Sequence, residues 1–303
     1  MIKNGLIIYN DNFKDHEVFK YHVEWFKSEA NKIGINLISK SNTEVLFTIS
    51  NSFKTNLFID NKPDFVIFFD KDIRLAQSFE NLGVRLFNSS KAIEICDDKT
   101  LTHIMLAKNK IRTPKTIISP KSFTKFSESN LGFLKNVIDT LSLPMIVKEG
   151  FGSFGEQVYL IEKESELIDK TIELSERPLL FQEYIKESYG KDLRIYIVGG
   201  EFIGAVIREN KNDFRANSPN GCTMISYIPT NEEIDVAKKA TLAVGLDFSG
   251  VDILFSKDGP LVCEVNSNPH VRNFYKTTNI NVVEKVFHYI DKEIYNDFVV
   301  EKV

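Results

Sequence analysis

The sequence predicts a mixed α/β and α+β protein of two or three lobes, and three observations carry that expectation. Short apolar runs alternate with helical periods over roughly residues 1–90, the pattern of a small α/β domain. Two stretches further on, 192–208 and 250–266, each fold back at a glycine-containing turn, as antiparallel hairpins do. A chain of 303 residues with 43% hydrophobic content can build more than one core.

In order along the chain, Gly5–Tyr9 reads as a buried strand, and residues 15–33 carry Val18, Phe19, His22, Val23 and Phe26 at helical spacing before Gly34. Ile35–Ile38, Asp64–Phe69 and Val84–Phe87 complete the first set of strands. A helix is expected to open near Asp97-Asp98, with Leu101, Ile104 and Met105 facing inward, and to end before Pro114. Leu143–Lys148 is a strand leading into the glycine-rich segment EGFGSFGEQ (149–157), and Val158–Ile161 resumes strand character, so the glycines form a hairpin-type loop. A charged helix at about 163–175 precedes the strand Leu179–Ile185. Gly199-Gly200 turns the first alternating hairpin. Thr230-Asn231-Glu232-Glu233 is a capping box for a helix at about 231–244. Asp258-Gly259 turns the second hairpin, and a terminal helix carries Val286, Phe287, Ile290 and Ile294.

A net charge of −4 gives no overall bias toward nucleic acid or anionic lipid. Three cysteines, Cys96, Cys222 and Cys263, without close spacing, argue against a disulfide framework and a zinc site. The first residues lack the pattern of a signal peptide, and no window approaches the roughly 20 apolar residues of a membrane span. A cytoplasmic protein with no nucleic-acid or membrane partner is expected.

The second hairpin carries the strongest chemical signal. A turn at Asp258 sets Asp252 opposite Glu264, on the face shared with Asn266, while Leu261, Cys263 and Val265 face the core. Two carboxylates facing each other across strands are destabilising. A divalent cation relieves the conflict, and this set of hard oxygen ligands suits Mg²⁺ with phosphates completing its shell. The alternative is three solvated polar residues on an open sheet face. Gly150, Gly152 and Gly155 would let backbone N–H groups approach phosphate, with Lys148 and Lys99 adding ammoniums. The alternative there is a flexible hairpin loop, since the pattern is neither a dinucleotide fingerprint nor a P-loop. Asp192 and Arg194 share a strand face, and Arg208, Arg215 and Asn217 add anion-binding capacity.

Seven segments, "DDKT" (97–100), "MIVKEGFGSFGEQV" (145–158), "FQEYI" (181–185), "KDLRIYIVGGEFIGAVIR" (191–208), "DFRAN" (213–217), "GVDILFSKDGPLVCEVNSNP" (250–269) and "KTTNIN" (276–281), occur in one order over about residues 90–285. Together they resemble the ATP-grasp superfamily, in particular its RimK-like carboxylate–amine ligases. The resemblance implies an N-terminal pre-grasp α/β domain (1–90), a small lobe with the phosphate loop (91–180) and a C-terminal lobe with the metal-binding hairpin (181–303). It implies ATP held by Lys99, Lys148, Gly150, Gly152, Ser153, Gly155, Asp192 and Arg194, with Gln182, Glu183, Tyr184 and Ile185 as the adenine hinge. Asp252, Glu264 and Asn266 would hold two Mg²⁺ ions, with Mn²⁺ as a substitute. Arg208, Arg215 and Asn217 would act near the γ-phosphate and the acyl group.

The implied reaction forms an amide through an acylphosphate, attaching glutamate or a similar amino acid to a small-molecule or peptide carboxylate. A kinase-like phosphotransferase, or a nucleotide-binding protein that ligates nothing, is the alternative. Relatives suggest a homodimer or homotetramer. The chain departs from the family's pattern at Asn268-Pro269-His270-Val271-Arg272, which puts His270 and Arg272 near the acceptor side as substrate-binding candidates. His16, His22, His103 and His288 read as surface or packing residues, and Cys263 as core.

Overall fold

The computed structural model describes residues 3–300 apart from 52–54, 60, 153–154 and 218–220. Three main sheets organise them. The first is parallel, in the order β2-β1-β5-β6, from β1 (Lys3–Tyr9), β2 (Ile35–Ser41), β5 (Phe65–Phe69) and β6 (Arg85–Phe87). Its central strands are continuous apolar runs because helices cover the sheet. Those helices include α1 (Glu17–Lys32) and α2 (Ile73–Asn81), and a small hairpin, β3 (Phe47–Ile49) with β4 (Thr55–Leu57), packs alongside α2.

Two helices follow, α3 (Ser90–Asp97) and α4 (Lys99–Lys108), separated only by Asp98, whose side chain caps α4 by accepting from the Thr100 N–H at 2.8 Å. Of the inward face expected for α4, Met105 alone packs against the core. Leu101 and Ile104 are exposed, while Lys99, Thr102, His103 and Leu106 are buried. The helix backs a polar cleft, so the side chains it turns inward include the ones that serve the cleft.

The second sheet is antiparallel, in the order β7-β10-β8-β9, from β7 (Thr116–Ile118), β8 (Met145–Glu149), β9 (Val158–Ile161) and β10 (Leu179–Glu183). The boundary expected after residue 180 therefore falls inside β10. Helices α5 (Phe133–Leu141) and α6 (Glu164–Leu174) cover this sheet, and Leu134, Val137, Leu167, Met145, Val147 and Phe181 form a core belonging to this lobe alone.

The third sheet is antiparallel, in the order β13-β12-β11-β14-β15: β11 (Lys191–Val198), β12 (Glu201–Glu209), β13 (Thr223–Tyr227), β14 (Phe248–Leu254) and β15 (Leu261–Asn266). The β11–β12 turn has Gly199 and Gly200 at φ +56° and +77°, the positive values a two-residue hairpin turn requires. Helix α7 (Asn231–Val244) has the expected capping box and ends on Gly245 at φ +78°. Helices α8 (Arg272–Thr278) and α9 (Val282–Val300) close the chain. Val283, Phe287 and Ile290 of α9 join Phe26 and Phe65 of the first lobe and Tyr196 and Phe248 of the third sheet in one core. The described part of no helix is long and apolar enough to cross a membrane.

Asn88 ties these lobes together in polar fashion. Fully buried, it donates to the carbonyls of Phe248 (3.0 Å) and Ser267 (2.8 Å) and accepts from the N–H groups of Asp247 (2.6 Å) and Phe248 (3.1 Å). It thereby joins the start of β14 to the loop after β15.

Candidate active site

Between the second and third sheets lies a cleft of about 770 Å³. Every site residue expected from the sequence lines it except Gly150 and Ser153. Gly150 lies just behind, where an added Cβ would come within 2.8 Å of Pro178, and Ser153 is outside the described residues.

The second hairpin has the expected pairing at its cleft end: Asp252 is the register partner of Glu264, and Gly250 that of Asn266. Beyond Asp252 the register shifts, so that Ile253 pairs with Val262 and Cys263 is the extra residue of a β-bulge. This overturns the reading of Cys263 as core. Val262 and Val265 fill the core, whereas Cys263 stands beside Glu264 in the cleft with its Sγ 3.4 Å from Lys148 Nζ. Burial pushes its thiol up, and the neighbouring Lys148 pulls it part of the way back.

Asp252 sits in a buried ion network. Arg194 grips it with two parallel bonds, Nε to Oδ1 at 2.6 Å and Nη2 to Oδ2 at 2.7 Å. Arg208 grips Asp192 the same way, at 2.7 and 2.5 Å, and its Nη2 also lies 2.9 Å from Asp252 Oδ2. Burial alone would raise the Asp252 carboxyl, but the two guanidiniums outweigh it and hold it at about 2. Asp192 moves upward, because its burial exceeds the pull of Arg208 and Asp252 adds repulsion. Asn266 donates to the Gly250 carbonyl at 3.1 Å and to Asp252 at 3.4 Å, which leaves its amide oxygen as a further hard donor. Glu264 and the Asn266 amide oxygen are hard donors suited to a divalent cation, whereas Asp252, the third expected ligand, has both oxygens engaged by guanidiniums. Among the described residues no group of three His, Cys, Asp or Glu converges on a metal position.

The glycine loop is held from both sides. Lys99 Nζ donates to the Gly152 carbonyl at 3.0 Å and lies 3.5 Å from Glu264 Oε1, while Arg215 Nη1 donates to the Gly155 carbonyl at 2.8 Å. Gly155 has φ +75° and no room for a side chain, since a Cβ there would come within 2.8 Å of Asn217 Oδ1. Lys148 is 7% exposed, and its ammonium donates to Gln182 Oε1 at 2.7 Å. Among the described residues it forms no ion pair. Gln182 is fixed in turn by Thr116 Oγ1 (2.9 Å) and His103 Nε2 (3.2 Å). His103 therefore belongs behind the site and is more than a packing residue. The Glu183 side chain accepts from the Lys115 N–H at 2.7 Å, and the Glu183 N–H donates to the Lys115 carbonyl at 2.9 Å, which clamps the hinge.

The far end of the cleft is formed by His270 and by Arg272, Asn273 and Lys276 of α8, with Val18 of α1 opposite. The Tyr196 hydroxyl donates to the His270 carbonyl at 2.6 Å, and the Arg272 guanidinium stacks 4.7 Å from the Tyr21 ring centroid. Four residues apart on α8, Arg272 and Lys276 share a face. Among the described residues neither forms an ion pair. Lys276 is not among the site residues the sequence predicts; its signal there is a cation one turn after Arg272.

The comparisons with known proteins agree with this geometry. The family model for the RimK-like ATP-grasp domain matches residues 96–290. An uncharacterized protein of Mycoplasma pneumoniae is 33% identical over 288 residues, 93% of this chain and 98% of the relative. The ribosomal protein bS6–L-glutamate ligase of Escherichia fergusonii is 33% identical over 225 residues, 73% of this chain and 72% of that one. Among solved structures, D-alanine–D-alanine ligase from Bacillus anthracis complexed with ATP shares the fold, with a TM-score of 0.71 at 16% identity over 99% of both chains. With the cleft, the hairpin and the match over 96–290 in agreement, the chain belongs to the RimK-like ATP-grasp family and is an ATP-dependent carboxylate–amine ligase.

Proposed function

We propose that this ligase attaches glutamate or a similar amino acid to the carboxylate of a small molecule or peptide, through an acylphosphate. The observation that carries the nucleotide half is Lys148: a buried ammonium with an amide and a thiol as partners calls for an anion, and a polyphosphate supplies it. The amino-acid half is supported by the relative that joins L-glutamate to ribosomal protein bS6. The ligases among the relatives lend no support to the phosphotransferase alternative.

In this reading Lys99, Lys148, Gly150, Gly152, Ser153 and Gly155 cradle the phosphates, and Gln182–Ile185 receives the base beside Asp192 and Arg194. Asp252, Glu264 and Asn266 would hold two Mg²⁺ ions, or Mn²⁺, which supply charge neutralisation at the phosphates. The substrate carboxylate oxygen attacks the γ-phosphorus, the bond to ADP breaks, and an acylphosphate results. The amine then attacks the acyl carbon, inorganic phosphate leaves, and the amine gives up a proton. In this reading Arg215 and Asn217, beside Gly155, and Arg208 would act near the γ-phosphate and the acyl group. His270, Arg272 and Lys276 receive a second anionic group of the substrates. Catalysis is positioning and charge neutralisation, with no enzyme nucleophile. A homodimer or homotetramer in the cytoplasm completes the proposal.

The test is a matrix of carboxylates and amino acids incubated with Mg·ATP, reading ADP release and product mass. ADP formation that requires both substrates, with a product equal to their sum less water, is expected. Amine-independent ADP release with a phosphorylated product would overturn the reading.

A further inference from the structure

We propose that His103 is a positioning residue for this reaction: from behind the cleft it fixes the amide of Gln182, and through that amide the ammonium of Lys148. The inference rests on the reading of Lys148 as a nucleotide-binding residue.

The relay has a definite direction. An ammonium only donates, so Gln182 Oε1 accepts from Lys148 at 2.7 Å. The amide nitrogen is then the atom facing Thr116 Oγ1 at 2.9 Å and His103 Nε2 at 3.2 Å. An amide N–H also only donates, so His103 Nε2 must be the bare, accepting nitrogen and the ring proton sits on Nδ1. An imidazolium would set donor against donor. Burial, reinforced by the ammoniums of Lys148 and Lys99, keeps the ring neutral by lowering its pKa to about 3.

Two features separate this histidine from ordinary packing. Its Nδ1 is buried and has no partner among the described residues, which is a net cost to the fold that an apolar side chain would avoid. It also lies one turn after Lys99 on α4, and both are buried on that helix. One helix thus supplies one cleft ammonium directly and steadies the other through Gln182. Without His103, the Gln182 nitrogen keeps one of its two anchors.

The experiment is calorimetric binding of Mg·AMP-PNP to His103→Leu, His103→Gln, Lys148→Met and the His103→Leu/Lys148→Met double variant, with Tm recorded for each. His103→Leu is expected to weaken binding about five- to tenfold, the worth of one hydrogen bond, with Tm unchanged or higher. His103→Gln, whose side-chain oxygen accepts, is expected to restore most of the affinity. On the Lys148→Met background the leucine change is expected to add nothing. Should His103→Leu fail to fold, His103→Met carries the same test. Parental affinity in the leucine variant while Lys148→Met binds weakly would overturn the inference, as would fully additive losses. Parental affinity in Lys148→Met would instead overturn the reading of the lysine, and the inference with it.

Discussion

Asp252 and Glu264 are register partners across β14 and β15, yet their surroundings are opposite: Asp252 is locked by two arginines, while Glu264, among the described residues, has Lys99 at 3.5 Å as its ion-pair partner. Substituting them should therefore have different consequences. Glu264→Ala is expected to keep the fold and abolish turnover. Asp252→Ala strips Arg194 of both its bonds and leaves buried guanidinium charge unmatched, so a loss of about 3–5 kcal/mol in stability is expected. Urea unfolding of both variants beside an ADP-release assay checks the contrast, and equal stability in the two would refute it.

Stability should also depend on pH through His103. Its folded-state pKa of about 3 lies below the ordinary histidine value, so the unfolded chain binds the extra proton first. Its contribution is complete above about pH 6.5 and is lost as pH falls through the window toward 3. Each unit within that window corresponds to about 1.4 kcal/mol, so about 2 kcal/mol is expected to disappear between pH 7 and pH 5. Unfolding free energies of the parent and His103→Leu at both pH values measure it, and the leucine variant should show a flatter profile.

The bulge at Cys263 makes a third comparison. Val262 is fully buried, whereas the neighbouring cysteine faces the cleft. Val262→Ala is expected to lose about 1–3 kcal/mol of stability with little change in nucleotide affinity. Cys263→Leu should do the reverse, crowding Lys148 and weakening Mg·AMP-PNP binding while Tm holds. The opposite pattern would place the cysteine back in the core.

These examples show what the sequence made legible and what it hid. Helix α7 was readable to its ends because a capping box and a glycine mark them with local chemistry. The Asp252–Glu264 pairing came out as expected because two departures cancel: residues 255–260 connect the strands with Leu254 opposite Leu261, one residue off a register centred on Asp258, and the bulge at Cys263 restores it. The bulge carries no such mark: no glycine or proline occurs within β15, and one extra residue moves Cys263 from one face to the other. Helix α4 misled for a related reason. Periodicity counts apolar residues, and this helix buries a lysine, two threonines and a histidine while leaving Leu101 and Ile104 in water. Helices α2, α3, α5 and α8 and strands β3, β4, β7 and β13 lie outside the elements the sequence predicts, being short or defined by their neighbours.

Asn88 was likewise invisible in sequence, since nothing near it announces four long-range bonds. Asn88→Ala is expected to destabilise the chain by at least about 2 kcal/mol, because buried N–H and C=O groups on β14 and after β15 lose their partner. Chemical denaturation measures this; a loss below about 0.5 kcal/mol would mean that backbone or water replaces the amide.

The distribution of the cores has a consequence at the cleft. The first and third sheets share one core through α9, whereas the second sheet closes on a core of its own. What spans the cleft from that sheet is polar: Lys99 to Gly152, Arg215 to Gly155, Lys148 to Cys263. The second sheet therefore meets the other two across the cleft through cations set on backbone carbonyls and a thiol, and these are the same cations proposed to receive the phosphates.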